Sequence, residues 1–333
     1  MADIAIPDIV VFAPSPSLTI TIEERDEEPD IHIHAGGQGV WQARMLRRLG
    51  TTVTMCCTFA GETGGVLRHL LDGEGFDVVA VERDGQSAAY IHDRRGGQRR
   101  SIVETAGSDL SRHVLDELYG QTLRVGMDAQ LVLLSGPAGD VLPAEVYRRL
   151  AADLRSCDCC VMVDLAGPRL DAALAGHVDI VKISHEELLA DGRITSIGEA
   201  EIIAAMRTIR DAGADTVIVT RAEKPLLMLT ESDTILIVTN PIMEVVDTSG
   251  AGDSFTAATA AEVARGAEIT EAVVLGAAAG ALNVTRHGHG TGDRAAIHRL
   301  SRLVHVVPYG EDHEDHHPPR IGLRELAEMF ESE

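Results

Sequence analysis

The chain has 333 residues, 45% hydrophobic and 24% charged, a balance that reads as globular and long enough for one large α/β domain or two smaller ones. Its formal net charge of −23 argues against nucleic acid or an anionic membrane surface as a partner. The same charge requires any phosphate site to be made locally electropositive, by helix N-termini or a metal ion.

In chain order, "MADIAIPDIVVFAP" carries no basic segment before its apolar run, so it reads as a first buried strand rather than a signal peptide. No apolar run approaches the length of a membrane span, and the expected location is cytoplasmic. "GVWQARMLRRLG" is an amphipathic helix stopped by Gly50, followed by the strand "TTVTMCCTFAG", a second helix and the strand "FDVVAVE". Later, "AQLVLLSGP", "CCVMVDLAG", "VDIVKIS" and "DTVIVTR" are strands separated by helical segments such as "AEVYRRLAADLRS" and "EAEIIAAMRTIRDAG". This alternation predicts an α/β fold: a doubly wound, mostly parallel sheet flanked by helices.

Two segments break the alternation, approximately residues 17–34 ("SLTITIEERDEEPDIHIHAGG") and 87–104 ("SAAYIHDRRGGQRRSIVE"). Their apolar–polar pattern reads as half-exposed antiparallel strands, either a small β lid over a cleft or a solvent-exposed sheet edge. The five cysteines, Cys56, Cys57, Cys157, Cys159 and Cys160, lie in or beside apolar runs and lack the paired spacing of a zinc site. They read as buried thiols. Toward the end, residues 307–320 ("YGEDHEDHHPPR" and its flanks) read as an acidic, His-rich linker after a domain spanning residues 1–306. Leu323, Leu326, Ala327 and Phe330 share one face of a terminal helix over 321–333.

The chemistry concentrates in "VVDTSGAGDSF", Val245 to Phe255. Strands run into a turn of small residues, and "DSFTAATAAEVARG" continues as a helix ending at Gly266. The turn Gly250–Ala251–Gly252 places backbone N–H groups at a helix start, which is an anion hole. Asp253 sits in the first turn of that helix. There it serves either as a charge complement to the helix dipole or as a general base beside the anion hole. In the next helix, Thr270 reads as the cap, and Gly276 to Gly280 form a small-residue stripe for helix packing or for a flat ring.

These residues carry a resemblance. "DTSGAGDSF" resembles the C-terminal signature of the ribokinase-like (phosphofructokinase B) sugar kinase family, and "HAGGQGVWQARMLRRLG" resembles its glycine signature "GGKGINVARxLxxLG". "VFAPSPSLTITIE", "LLSGPAGDVLPAEVYRRL" and "DIVKISHEELL" are similar to intervening family segments in the same order, nearest the 1-phosphofructokinase and tagatose-6-phosphate kinase subgroup. The resemblance covers roughly residues 8 to 304. It implies a ribokinase-like fold with a β lid, and transfer of the ATP γ-phosphoryl, with Mg²⁺, to an alcohol.

By the same resemblance, Asp253 takes the hydroxyl proton, and Gly250, Ala251 and Gly252 form the anion hole. Glu187 organises Mg²⁺, and Asp247 is similar to an aspartate that holds a monovalent cation, which makes K⁺ a conditional cofactor. Thr220, Lys182, Asn283, Ala279 and Gly280 fall on the nucleotide side. Thr19, Gly36, Gly37, Gln38, Trp41 and the lid residue Arg94 fall on the acceptor side. A homodimer through the β lid is the implied assembly, with a small sugar or polyol as the other partner.

The departures gather on the acceptor side. The family's aspartate and asparagine of the start motif are Thr19 and Ser15, its glycine-signature lysine and asparagine are Gln38 and Trp41, and the asparagine of "KPNxEE" is Ser184. The nucleotide loop reads "TRAEKP", with Ala222 and Pro225 in place of glycines. Arg94, Arg95, Arg99 and Arg100 either replace the lost lysine or are solvated surface. The reading is therefore a carbohydrate kinase with an altered acceptor, set against a non-catalytic sugar or nucleotide binder on the same fold. A dinucleotide dehydrogenase is set aside because "AGGQGVWQ" lacks the G-x-G-x-x-G spacing.

Overall fold

The computed structural model describes residues 8–96, 99–137, 139–286, 288–310, 318–322 and 324–326. The chain begins with β1 (Ile9–Phe12), β2 (Ser17–Arg25), β3 (Glu28–Gly36), α1 (Gln38–Arg48), β4 (Val53–Ala60), α2 (Gly61–Asp72), β5 (Asp77–Arg83), β6 (Ala88–Asp93) and β7 (Arg100–Thr105). It continues with α3 (Arg112–Gly126), β8 (Leu131–Ser135), α4 (Glu145–Arg155), β9 (Cys160–Asp164), α5 (Gly167–Ala175), β10 (Val178–Ser184), α6 (His185–Ala190), α7 (Glu199–Asp211) and β11 (Ala214–Arg221). The last elements are β12 (Lys224–Leu229), β13 (Ile235–Thr239), β14 (Ile242–Met243), α8 (Ala251–Ala264), α9 (Ile269–Asn283), α10 (Arg294–Ser301), β15 (His305–Pro308) and β16 (Arg320–Ile321).

Ten strands form one sheet in the order β15-β13-β12-β11-β10-β9-β8-β1-β4-β5. The pairs from β11 through β8 and β1 to β5 are parallel, and β12, β13 and β15 add an antiparallel edge. Continuous apolar runs such as β1 "IVVF" and β8 "LVLLS" are buried throughout, as strands covered on both faces by helices must be. Packing of α4 shows why: Val146, Tyr147, Leu150, Ala151 and Leu154 recur at helical spacing and are all buried. The strand order reverses at β1, between β8 and β4. A crevice opens at such a switch point, beyond the carboxyl ends of the strands. The segments that leave β1, β8, β9 and β10 there carry the residues of the site.

The second sheet is the lid, in the order β3-β2-β6-β7. β2 and β3, and β6 and β7, are antiparallel as expected within each segment, and β2 and β6 join the two pairs in parallel. Register assigns the faces. Glu104, Tyr90, Thr19 and His34 form one cross-strand row, and Val103, Ile91, Ile20 and Ile33 form the neighbouring one. Thr19, Thr21 and His92 are buried, whereas Ile31 is 62% and Ile33 52% exposed. The lid thus turns Thr19, Thr21 and His92 inward, while its apolar face packs on the body at Leu18 and Ala35 and is exposed farther out at Ile31 and Ile33. Polar-out, apolar-in alternation is the usual rule for half-covered strands, and a cleft under this sheet inverts it at the two threonines and His92.

At the C-terminal side, β15 continues the sheet past residue 306 to Pro308, through its ladder with β13. Arg320 and Ile321 pair with β14, and Leu326 is buried. The His313–His317 run and most of the expected terminal helix lie outside the described residues. All five cysteines are free, and burial pushes the Cys56 thiol up to about 12. Among the described residues no helix is long and apolar enough to cross a membrane.

Candidate active site

Gly250 caps α8 in the left-handed conformation, φ 77° and ψ 4°, which glycine adopts without strain. The carbonyl of Gly250 accepts from the Ser254 N–H at 2.9 Å. The Ala251 N–H is used within the turn, 3.3 Å from the Thr248 carbonyl. This leaves Gly252 and Asp253 as the first-turn N–H groups without an acceptor among the described residues, so they face whatever anion the turn receives. Asn283 locks the turn from α9: its Nδ2 donates to the Ser249 carbonyl at 2.8 Å, and its Oδ1 accepts from Ser254 Oγ at 3.0 Å. Asn283 is only 2% exposed.

Beneath the turn lies a buried charge cluster whose central residue, Asp164, sequence reasoning did not single out. Asp164 ends β9 and is 1% exposed. Its Oδ1 pairs with Lys182 Nζ at 3.1 Å. Its Oδ2 accepts from Gln42 Nε2 at 3.0 Å and from Thr256 Oγ1 at 2.7 Å. Gln42 Oε1 in turn accepts from Ser135 Oγ. Gln38 braces the same point, donating to the Asp164 carbonyl at 3.2 Å and accepting from the Gly136 N–H at 2.8 Å. One carboxylate therefore joins β9, β10, α1 and α8, with β8 linked through Gln42. The available signal was an acid at the carboxyl end of an apolar strand, but only tertiary pairing shows that Lys182 answers it.

Lys182 Nζ lies 3.0 Å from the position a Gly252 Cβ would occupy, so the ammonium supports the anion turn directly from below. Burial opposes the Lys182 charge, but Asp164, Glu187 and Asp253 outweigh it and hold its pKa above the ordinary value. Burial likewise raises Asp164, against the pull of Lys182. Crowding of negative charge around one ammonium disfavours ionisation of Asp164 and Asp253. Asp253 is pushed up to about 7, first by burial, then by the negative charge of Asp164, with Lys182 acting in the opposite direction.

Glu187 completes a capping box with Ser184 at the start of α6, its Oε2 accepting from the Ser184 N–H at 2.7 Å. Its other oxygen has no hydrogen bond among the described residues. Among these residues no three acidic, His or Cys side chains converge as a metal cage. The second Glu187 oxygen is a single carboxylate donor, the kind of protein ligand Mg²⁺ takes beside phosphate oxygens. Asp247 is occupied: Oδ1 accepts from the Ser249 N–H at 3.0 Å, and Oδ2 pairs with Arg94 of the lid. Burial opposes ionisation of Asp247, but the hydrogen bonds from Ser249 and Arg94 prevail and hold its carboxyl well below the usual range.

The remaining expected residues divide between cleft and packing. Gly36 ends β3 beside Thr19, where a Cβ would lie 2.3 Å from Thr19 Oγ1, and Gly37, at φ 103°, caps α1. Trp41 stacks on His289, ring centroids 4.2 Å apart at 18°. Ala279 is 1% exposed, and a Cβ on Gly280 would lie 3.2 Å from the Ala251 carbonyl, so both pack α9 against α8. Thr270 is inside α9, which starts at Ile269 after an extended Glu268, so the expected cap is corrected. Thr220 closes the β10–β11 ladder opposite Ser184, and Ala222 keeps a positive φ of 53° despite the loss of glycine there. Arg95 folds back on Asp93. Arg99 lies over the Tyr90 ring, 4.7 Å from its centroid.

A large, mostly parallel sheet flanked by helices, with a smaller separate sheet beside it, is the ribokinase-like kinase fold. The chain belongs to the pfkB family of carbohydrate kinases, whose family model matches residues 3–296. It is 27% identical over 327 residues to the ATP-dependent 6-phosphofructokinase isozyme 2 of Mycobacterium tuberculosis, covering 94% of each chain. It is 25% identical over 293 residues to the D-tagatose-1-phosphate kinase of Bacillus licheniformis, covering 88% of this chain and 92% of that one. Among solved structures it is similar to phosphofructokinase-2 from Escherichia coli in complex with potassium, with a TM-score of 0.79, 25% identity and coverage of 89% of this chain and 98% of that one.

Proposed function

We propose that this carbohydrate kinase transfers the γ-phosphoryl group of ATP to a hydroxyl of a sugar phosphate or related polyol, with Asp253 as the base. The observation that carries the reading is Asp253 in the first turn of α8, behind the left-handed Gly250 and above the Asp164–Lys182 pair. Asp253 accepts the hydroxyl proton as the acceptor oxygen attacks. The N–H groups of Gly252 and Asp253 receive charge on the phosphoryl oxygens, and Lys182 below them adds positive potential. Mg²⁺, when bound, neutralises phosphate charge, and Glu187 is the residue that would hold it. Thr220 is the proposed nucleotide-side residue, while Asn283 acts through the turn it locks. Thr19, Gly36, Gly37, Gln38, Trp41 and Arg94 are the proposed acceptor wall. K⁺ beside Asp247 is a finer proposal that would need Arg94 to withdraw. A cytoplasmic location fits an ATP-consuming reaction of this kind.

The test is a coupled ADP-release assay with fructose 6-phosphate, tagatose 1-phosphate, fructose and nucleosides as acceptors. Acceptor-dependent ADP release is expected, with kcat/KM falling as pH drops through about 7, because protonated Asp253 cannot accept the hydroxyl proton. Binding without ADP release across the panel would favour a non-catalytic binder. A pH-independent rate between 6 and 8 would remove Asp253 as the base.

We also propose a homodimer formed through the outer lid face. Ile31, Ile33 and Val103 are exposed there, at 62%, 52% and 45%. An apolar sheet face of this kind is a protein-contact surface. Ile33→Glu is expected to convert a dimer to a monomer in light scattering behind a sizing column, with the far-ultraviolet circular dichroism unchanged. A wild-type chain that is monomeric at micromolar concentration would contradict the proposal.

A further inference from the structure

His289 follows α9, with its ring stacked on a neighbour and its backbone held against α1. One face stacks on the Trp41 indole. Arg44 Nη1 donates to the His289 carbonyl at 3.3 Å, while the same guanidinium grips Glu74. The adjacent Gly290, at φ 65°, lets this segment press on α1, since a Cβ there would lie 2.5 Å from the Trp41 carbonyl. The His289 Nδ1 lies 2.5 Å from where a Gly250 Cβ would be, so any side chain at position 250 would collide with the ring. Glycine at 250 therefore both permits the left-handed turn and makes room for this imidazole.

His289 Nδ1 and Trp41 Nε1 are both buried without a hydrogen-bond partner among the described residues. Unpaired buried polar atoms are costly, and a stacked pair with two of them at the edge of an anion turn points to a ligand that completes them. Across the cleft, His92 on β6 is 4% exposed, shares a hydrogen bond between its Nε2 and Thr21 Oγ1 at 3.1 Å, and also has an unpartnered Nδ1. Burial, reinforced by Arg99, lowers the pKa of both His92 and His289 to about 4. At neutral pH these rings are uncharged, so each can donate from one nitrogen.

We infer that His289 is a specificity-determining residue of the acceptor site, whose Nδ1–H donates to an acceptor oxygen, either a ring hydroxyl or a phosphoester oxygen, beside the hydroxyl that enters the Gly250 turn. Trp41 is the plate that orients the imidazole. The inference rests on the phosphoryl-transfer reading above, and its test separates the two. Trp41 is the only tryptophan of the chain, so its emission reports on the stacked ring.

The experiment compares wild type, His289→Phe, which keeps a ring on the indole but removes the nitrogen, and His289→Asn, which keeps a donor near Nδ1. Turnover is measured with fructose 6-phosphate, tagatose 1-phosphate and fructose. Trp41 emission is titrated with the same compounds and with inorganic phosphate, in the presence of a non-hydrolysable ATP analogue. His289→Phe is expected to raise the acceptor KM roughly tenfold with the ATP KM unchanged, and His289→Asn to recover most of that loss. A loss seen with fructose as well assigns the bond to a ring hydroxyl. A loss confined to phosphorylated acceptors, with emission responding to inorganic phosphate, assigns it to the phosphoester. An unchanged acceptor KM in the Phe variant, or a changed ATP KM instead, overturns the inference. If nothing in the panel is turned over, the phosphoryl-transfer reading fails, and the emission titrations alone decide on His289: binding weakened in the Phe variant supports the contact, and equal or absent binding overturns it.

Discussion

Asp253→Asn is expected to lower kcat by about 10²–10⁴-fold, the range for loss of a positioned general base, while the KM for ATP changes little. Asparagine matches the side chain in size, so the α8 turn and the Gly252 and Asp253 N–H groups remain in place. Relief of charge crowding is a competing effect, because Asp253 sits among Asp164, Glu187 and Lys182. Removing one carboxylate from that cluster should leave the protein equally or more stable. Lower kcat together with an unchanged or raised melting temperature is therefore the signature of the proposed role. Turnover equal to wild type would show that the proton leaves by another route. A large loss of stability would mean that the carboxylate is structural.

The second large effect belongs to the buried pair. Lys182→Met leaves Asp164, 1% exposed, without its ammonium. Breaking a buried ion pair from one side costs about 3–5 kcal/mol, because an uncompensated charge stays behind. Two hydrogen bonds from Gln42 and Thr256 remain on Asp164, which places the expectation toward the lower end of that range. Chemical denaturation should show a lower midpoint with an unchanged slope. The double variant Asp164→Asn, Lys182→Met should recover much of the loss, since neither charge is then stranded. A single Lys182→Met variant as stable as wild type would show that the pair contributes no net stability. The same variant has a second readout. Lys182 pulls the Asp253 pKa down, so its removal should move the acid limb of the pH–rate profile upward.

Local signals made part of this site legible in the sequence. Asp247, Gly250, Gly252 and Asp253 lie within seven consecutive residues (247–253), and a strand, a glycine turn and a helix start are short-range structures. The alternation of strands and helices likewise predicts the doubly wound sheet, because each period reflects a local geometry. The lid is the intermediate case. Alternation in "SLTITIE" separates Thr19 and Thr21 from Leu18, Ile20 and Ile22, but nothing local says which set turns inward. Burial of Thr19 and Thr21 and exposure of Ile31 and Ile33 answer that question.

What the sequence by itself determined is the glycine turn with its first-turn acid and the layered frame, because both are written in near neighbours and in periodicity. Only the tertiary structure decided that Asp164 meets Lys182 across adjacent strands, that Asn283 locks the turn rather than lining an open cleft, and that His289 rests on Trp41 against Gly250. Each of those contacts joins residues from 18 to 248 positions apart. Long-range pairs of this kind have no local pattern, since they exist only once the sheet has set its register and the helices have closed on it.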